Sequence, residues 1–145
     1  MGINSTDYPI LLVEDNPDDV LITQRAWKIG SIKNKLFVVT DGEQALEFIN
    51  KEGRFHGAPT PSLILLDLKM PRIDGFEVLT YLKGDEKTKI IPVIVLTSSN
   101  RMDDVQKAYK IGCNNYIVKP ISFEKFIDAV AAINTYWFSI SKTPD

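Results

Sequence analysis

The run Pro61-Ser62-Leu63-Ile64-Leu65-Leu66-Asp67-Leu68-Lys69-Met70-Pro71 places four consecutive aliphatic residues directly before a carboxylate. Four aliphatics in a row leave no polar face, so Leu63 to Leu66 reads as a strand covered on both sides, as in a parallel sheet. Moving outward, Ile10 to Val13 and Val93 to Leu96 have the same character, and each is also entered through a proline. Lys35 to Val39 and Asn115 to Val118 are more mixed, which suits positions at or near the sheet edges. Five strands are predicted.

Helical patterns separate them. The first opens with Asn16 as N-cap and Pro17 at the first helical position, closes before Gly30, and offers Ile22, Ala26 and Ile29 as its inward row. The second follows Asp41, with Gln44 three residues on in the manner of a capping box, and carries Ala45, Phe48 and Ile49. The third follows Asp74, turns Val78, Leu79 and Leu82 inward and ends near Gly84. The fourth follows Asn100, packs Val105, Ala108 and Tyr109 and stops at Gly112. The fifth follows Ser122 and repeats Phe123, Phe126, Ile127, Val130 and Ile133 at helical spacing. Alternating strands and helices predict an α/β fold, a doubly wound five-stranded parallel sheet with five flanking helices and right-handed crossovers. The Gly/Pro-rich stretch Gly53 to Pro61 reads as a surface loop that lengthens the connection before the third strand.

The 145 residues suit one domain, with a core from about 9 to 135 and a short aromatic extension over 136–145. No apolar run approaches the roughly 20 residues of a membrane helix, and Met1 to Tyr8 lacks the regions of a signal peptide, so a cytoplasmic protein is expected. Cys113 is the single cysteine, which excludes an internal disulfide and a cysteine-based zinc cluster. A net charge of -2 gives no global attraction for nucleic acid, and Arg25, Lys28, Lys33 and Lys35 read as a solvated basic face.

In an open α/β sheet, ligands bind beyond the carboxyl ends of the strands. There the first strand delivers Glu14 and Asp15, the third Asp67, the fourth Thr97 and Ser98, and the fifth Lys119. Three crowded carboxylates resist joint ionisation unless a cation sits among them, and an oxygen-only set without His or Cys favours magnesium over zinc. Lys119 and the Thr97 hydroxyl add the positive charge and the donor that a phosphoryl group needs. Asp67 is the candidate nucleophile, since an ionised carboxylate forms an acyl phosphate without a separate base.

Leu12-Val13-Glu14-Asp15, Leu65 to Pro71, Asp74-Gly75, Val95-Leu96-Thr97-Ser98 and Tyr116-Ile117-Val118-Lys119-Pro120 resemble the motifs of response-regulator receivers, in the family's order, over about residues 9–135. The resemblance implies the strand order 2-1-3-4-5, a flavodoxin-like sheet. It implies Asp67 as phosphoacceptor, Asp15 and Asp67 as direct Mg2+ ligands, Glu14 as a ligand through water, and the Lys69 backbone carbonyl as a further ligand. Thr97 and Lys119 would grip the phosphoryl group, Tyr116 would be the switch aromatic, and the Lys119-Pro120 bond would be cis. Such a protein is a phosphoacceptor signalling domain that assists its own phosphorylation and dephosphorylation.

Taken singly, these residues have ordinary uses: Asp15 near a helix N-terminus, Thr97 in a turn, Lys119 in solvent, Tyr116 at a sheet edge. Asp67 is different, because a carboxylate after four buried aliphatics needs compensation. His56, the one histidine, lies in the Gly/Pro-rich loop and reads as solvent-facing, so a partner histidine kinase or phosphotransfer protein is implied. Output would pass through a downstream protein target, by way of the surface of the fourth helix, fifth strand and fifth helix. A homodimer through that surface, or through the aromatics Tyr136-Trp137-Phe138, is a further expectation. With little beyond the receiver, the chain reads as a stand-alone messenger.

The long loop and aromatic tail also resemble small receiver-only regulators paired with phytochrome-type kinases. A chemotaxis-type regulator or a phosphorelay intermediate fits the same motifs. Two rivals come from other classes. A flavin-binding electron carrier would cradle phosphate in its first loop, where Glu14-Asp15 repels it. An aspartate-nucleophile phosphatase would carry an acid where Lys69 stands.

Overall fold

The computed structural model of the chain describes residues 8–29, 33–70, 72–119, 124 and 128. The strands are β1 (Ile10–Val13), β2 (Leu36–Val39), β3 (Leu63–Leu66), β4 (Val93–Thr97) and β5 (Asn115–Val118). All pair in parallel, in the order β2-β1-β3-β4-β5, so β1 and β3 lie side by side at the sheet centre. This is the flavodoxin-like arrangement implied by the resemblance.

Four α-helices are present among the described residues, α1 (Pro17–Ile29), α2 (Gly42–Asn50), α3 (Gly75–Gly84) and α4 (Met102–Ile111), with one 3-10 turn at Gly53–Phe55. The helix expected after Ser122 falls mostly outside them. Glu124 and Asp128 are helical and exposed, and the remaining residues of that segment, with the Tyr136-Trp137-Phe138 cluster and the Lys119-Pro120 bond, lie outside the described set.

Strand alternation sorts the core into two layers. Leu11, Val13, Ile64, Leu66, Val93 and Val95 face α2, α3 and α4 through Ala45, Phe48, Val78, Leu79, Leu82 and Ala108. Ile10, Leu12, Leu63, Leu65, Ile94 and Leu96 face the other way, towards Ala26 and Trp27 of α1. The three central strands are thus apolar on both sides, which explains their unbroken aliphatic runs.

Local signals set the helix starts. Asn16 Oδ1 accepts from the Asp18 and Asp19 amides at 2.9 and 3.3 Å, Asp41 Oδ1 from Gln44 at 2.7 Å, and Asp74 Oδ1 from Glu77 at 3.0 Å. At α4 the cap position is Arg101 rather than Asn100, and no side chain caps it. Tyr109 of α4 is exposed rather than packed, leaving Ala108 as that helix's buried residue.

The inward row of α1 also differs from the expectation. Thr23, Ala26 and Trp27 are buried, whereas Ile22 and Ile29 are exposed. Trp27 brings the largest apolar surface and satisfies its Nε1 on the Asn34 carbonyl at 2.8 Å, and Thr23 donates its hydroxyl to the Asp19 carbonyl at 2.9 Å. With both polar groups satisfied, this face is the better one to bury.

The Gly53 to Pro61 connection is more than a solvated loop. Phe55 packs in a tilted arrangement on Phe48, ring centroids 5.4 Å apart, Phe48 meets Phe37 likewise at 5.4 Å, and Pro61 is buried.

Candidate phosphoacceptor and metal site

The carboxyl ends of β1, β3, β4 and β5 converge. Glu14 and Asp15 follow β1, and Asp67 follows β3, its amide donating to the Val13 carbonyl at 3.0 Å. Side-chain oxygens of Glu14, Asp15 and Asp67 all lie within 4.8 Å of one another. Glu14 and Asp67 are buried, at 1% and 6% exposure, while Asp15 is exposed.

Across the sheet, the Lys119 amide donates to the Thr97 carbonyl at 2.8 Å, continuing the β4–β5 ladder by one residue. Its ammonium therefore reaches over the sheet end. It pairs with Glu14 Oε1, with Asp19 Oδ2 at 2.9 Å and with Asp67 Oδ2 at 3.5 Å.

Backbone contacts hold Asp67 in place. The Lys69 amide donates to Asp67 Oδ1 at 3.2 Å, and the Gly75 amide donates to the Leu68 carbonyl at 2.9 Å. A Cβ on Gly75 would lie 2.3 Å from the Asp67 carbonyl oxygen, so the loop after β3 folds back this closely only because residue 75 is glycine. Beside the carboxylates, a depression of about 440 Å³ opens between Asp15, Lys69, Met70, Asp74, Phe76 and Asp104.

The charges do not balance. Burial pushes the Glu14 carboxyl up to about 7, against the pull of the Lys119 hydrogen bond and with the neighbouring Asp67 adding to the rise. Burial alone would lower Lys119, but its bonds to Glu14 and Asp19 and the charge of Asp67 outweigh it and leave the ammonium above its ordinary value. One ammonium thus under-compensates the cluster. Hard oxygen ligands with uncompensated negative charge fit a small divalent cation, and among the described residues no other group of three or more His, Cys, Asp or Glu side chains is so gathered.

Thr97 is fully buried at the same rim, and its Oγ1 accepts from the Ser99 amide at 3.4 Å. Tyr116 Oη donates to the Ser99 carbonyl at 2.9 Å, and burial raises that phenol above its ordinary value despite the bond. The structure thus gathers Glu14, Asp15, Asp67 and Lys119 at one end of the sheet, with Thr97 closing β4 beside them and Tyr116 tied to the loop that follows β4, while the Lys69 and Ser98 side chains are exposed. Sequence reading missed two members. Asp19 had no signal beyond its place in the first turn of α1, because which way it points depends on which face of that helix is buried. Ser99, buried and hydrogen-bonded through Oγ to Asp104 Oδ2 at 2.5 Å, had no signal beyond its nearness to Thr97.

The protein-family model for the response regulator receiver domain matches residues 10–131. The chain belongs to this family. As a receiver it works by phosphorylation in two-component signalling. Among its relatives, the probable methanogenesis regulatory protein FilR2 of Methanothrix harundinacea (strain 6Ac) is 38% identical over 140 residues, covering 94% of this chain and 88% of that one. Response regulator Rcp1 of Synechocystis sp. (strain ATCC 27184 / PCC 6803 / Kazusa) is 37% identical over 135 residues, covering 93% and 92%. The crystal structure of Rcp1 in its Mn(2+)-bound form superposes on this receiver with a TM-score of 0.79 over 95% of this chain and 97% of that one, at 36% identity. The phosphorylated cyanobacterial phytochrome response regulator RcpA gives the same TM-score and identity, over 95% and 99%. Among the described residues, no helix is long and apolar enough to cross a membrane.

Proposed function

We propose that Asp67 is the phosphoacceptor of this receiver and that Glu14, Asp15 and Asp67, with the Lys69 backbone carbonyl, hold the divalent ion, Mg2+, that the reaction uses. The observation that carries this reading is the gathering of three carboxylates within 4.8 Å, with Lys119 Nζ 3.5 Å from the Asp67 carboxylate. The metal-bound and phosphorylated states named for Rcp1 and RcpA support it. When bound, the ion supplies charge neutralisation at the phosphoryl oxygens.

The protein's own residues then do the rest. An Asp67 carboxylate oxygen attacks the phosphorus of a phosphohistidine on a sensor kinase or phosphotransfer protein. A P–O bond forms, the P–N bond breaks, and the imidazole leaves as a neutral ring after taking up a proton. Lys119 donates to a phosphoryl oxygen, and the Thr97 hydroxyl turns from the Ser99 amide towards another. Tyr116, joined to the Ser99 carbonyl, passes the change to the face of α4 and β5, where a downstream protein binds and two copies of the chain can pair.

We infer a cytoplasmic signalling role without turnover of an external substrate. The relation to RcpA supports pairing with a phytochrome-type kinase over a chemotaxis role.

Incubation with acetyl phosphate and Mg2+ followed by intact mass measurement tests the assignment. The wild type should gain one phosphoryl group, and Asp67→Asn none. An equal gain in Asp67→Asn would move the acceptor elsewhere.

A further inference from the structure

We propose that Asp19 is a positioning residue, acting through Lys119 to keep that ammonium from occupying the oxygens the divalent ion needs. The inference rests on reading the rim as the phosphoacceptor and metal site, and adds a residue to it.

The geometry sets up a competition. Lys119 Nζ pairs with Glu14 and lies 3.5 Å from Asp67, and both acids belong to the three-carboxylate cluster. Lysine and cation therefore claim the same oxygens. Asp19 stands outside that cluster yet holds Lys119 Nζ at 2.9 Å. An ammonium has three N–H donors and no fixed plane, so it can swing between acceptors without losing its charge partner. When Glu14 and Asp67 turn to a cation, Asp19 remains as the carboxylate that keeps Lys119 paired, still close enough to reach a phosphoryl group on Asp67.

The placement of Asp19 is built into α1. Asp19, Thr23 and Trp27 follow one another at four-residue steps, and Thr23 and Trp27 are buried on the side of the helix that packs on the sheet. The rotation that buries Trp27 therefore brings Asp19 over the end of the sheet. Its amide and carbonyl are used by Asn16 and Thr23, leaving the carboxylate for Lys119. Asp18, also in the first turn, is exposed and would serve the helix dipole equally well, so that general role does not account for the contact.

The test is a double-mutant cycle on cation affinity. Mn2+ binding is followed by the free-ion electron paramagnetic resonance signal, and Mg2+ by its displacement of Mn2+, in the wild type, Asp19→Asn, Lys119→Met and the double variant. Asp19→Ser serves as a second replacement should Asp19→Asn fold poorly. With Asp19 gone, Lys119 settles on Glu14 and Asp67, and the dissociation constants should rise about fivefold, the upper range for a partly exposed ion pair. In the Lys119→Met background, the same replacement should change nothing. Asp19→Glu should restore part of the loss.

An equal loss in both backgrounds would mean that Asp19 acts on the cation through its own field, and would overturn the proposal. So would unchanged affinity in Asp19→Asn alone. Absence of cation binding by the wild type would instead overturn the underlying assignment of the metal site.

Discussion

One residue along each central strand separates two buried layers of opposite character. Leu66, Leu96 and Val13 end the apolar layer, and Asp67, Thr97 and Glu14 begin the next, buried almost as deeply. In the first layer burial is itself the stabilising term, at roughly 25 cal/mol per Å² of apolar surface. In the second, burial opposes ionisation of Glu14, and one lysine is shared between Glu14 and Asp67. The strand bodies thus hold the fold, and the rim stores an excess of negative charge of the kind that a divalent cation relieves.

The largest expected effect separates the two layers. Ile64→Ala, three residues before Asp67 and fully buried, should cost about 2–5 kcal/mol in urea unfolding. The folded fraction should still bind Mg2+ with wild-type affinity, because the substitution leaves the rim untouched. A parallel loss of affinity would show that the layers are mechanically coupled and would weaken the contrast.

A somewhat smaller effect should appear as a pH dependence of the metal-free protein. Glu14 moves from its ordinary 4.5 to about 7 on folding, so between these values the folded state binds more protons than the unfolded one. The contribution to stability is full below about 4.5 and is lost as pH rises through about 7, by up to roughly 3 kcal/mol. Urea unfolding in EDTA from pH 5 to 8 should show this decline, Glu14→Gln should flatten it, and saturating Mg2+ should oppose it by favouring ionised Glu14. A rise across this range that Glu14→Gln removes would reverse the assigned sign.

How far each region was legible in the sequence follows from the same physics. Strand bodies announce themselves because full burial demands consecutive aliphatics, as in Leu63 to Leu66. Helix starts do so because caps are local, as Asp41 and Asp74 show through bonds to Gln44 and Glu77. The main site residues were legible because each stands directly after an apolar strand or inside a family motif. The face of α1 was not, since Ile22, Ala26 and Ile29 satisfy the helical period as well as Thr23, Ala26 and Trp27 do. The choice between them depends on the Asn34 carbonyl that receives Trp27, a tertiary partner with no mark in α1 itself. Asp19 was missed for the same reason, because its direction follows from that rotation.

Tyr116 spans the two layers, and its hydroxyl gives the smallest expected effect. The ring packs against the apolar cluster beneath α4, while the hydroxyl donates to the Ser99 carbonyl at 2.9 Å. Tyr116→Phe keeps the ring and removes one hydrogen bond, so it should cost about 1 kcal/mol of stability. The consequence for signalling is more specific. Ser99 also binds Asp104 in the first turn of α4, so Tyr116 is joined through one residue to the start of that helix. Acetyl phosphate should phosphorylate Tyr116→Phe to the same extent as the wild type, on the proposed acceptor Asp67, because the lost bond touches none of the carboxylates. The accompanying change in amide hydrogen exchange across residues 99–104 should shrink, because β5 no longer holds the loop that carries it. If the exchange response is unaltered, the route from rim to α4 runs through Thr97 and the Ser99 amide alone, and Tyr116 belongs with the packing layer only.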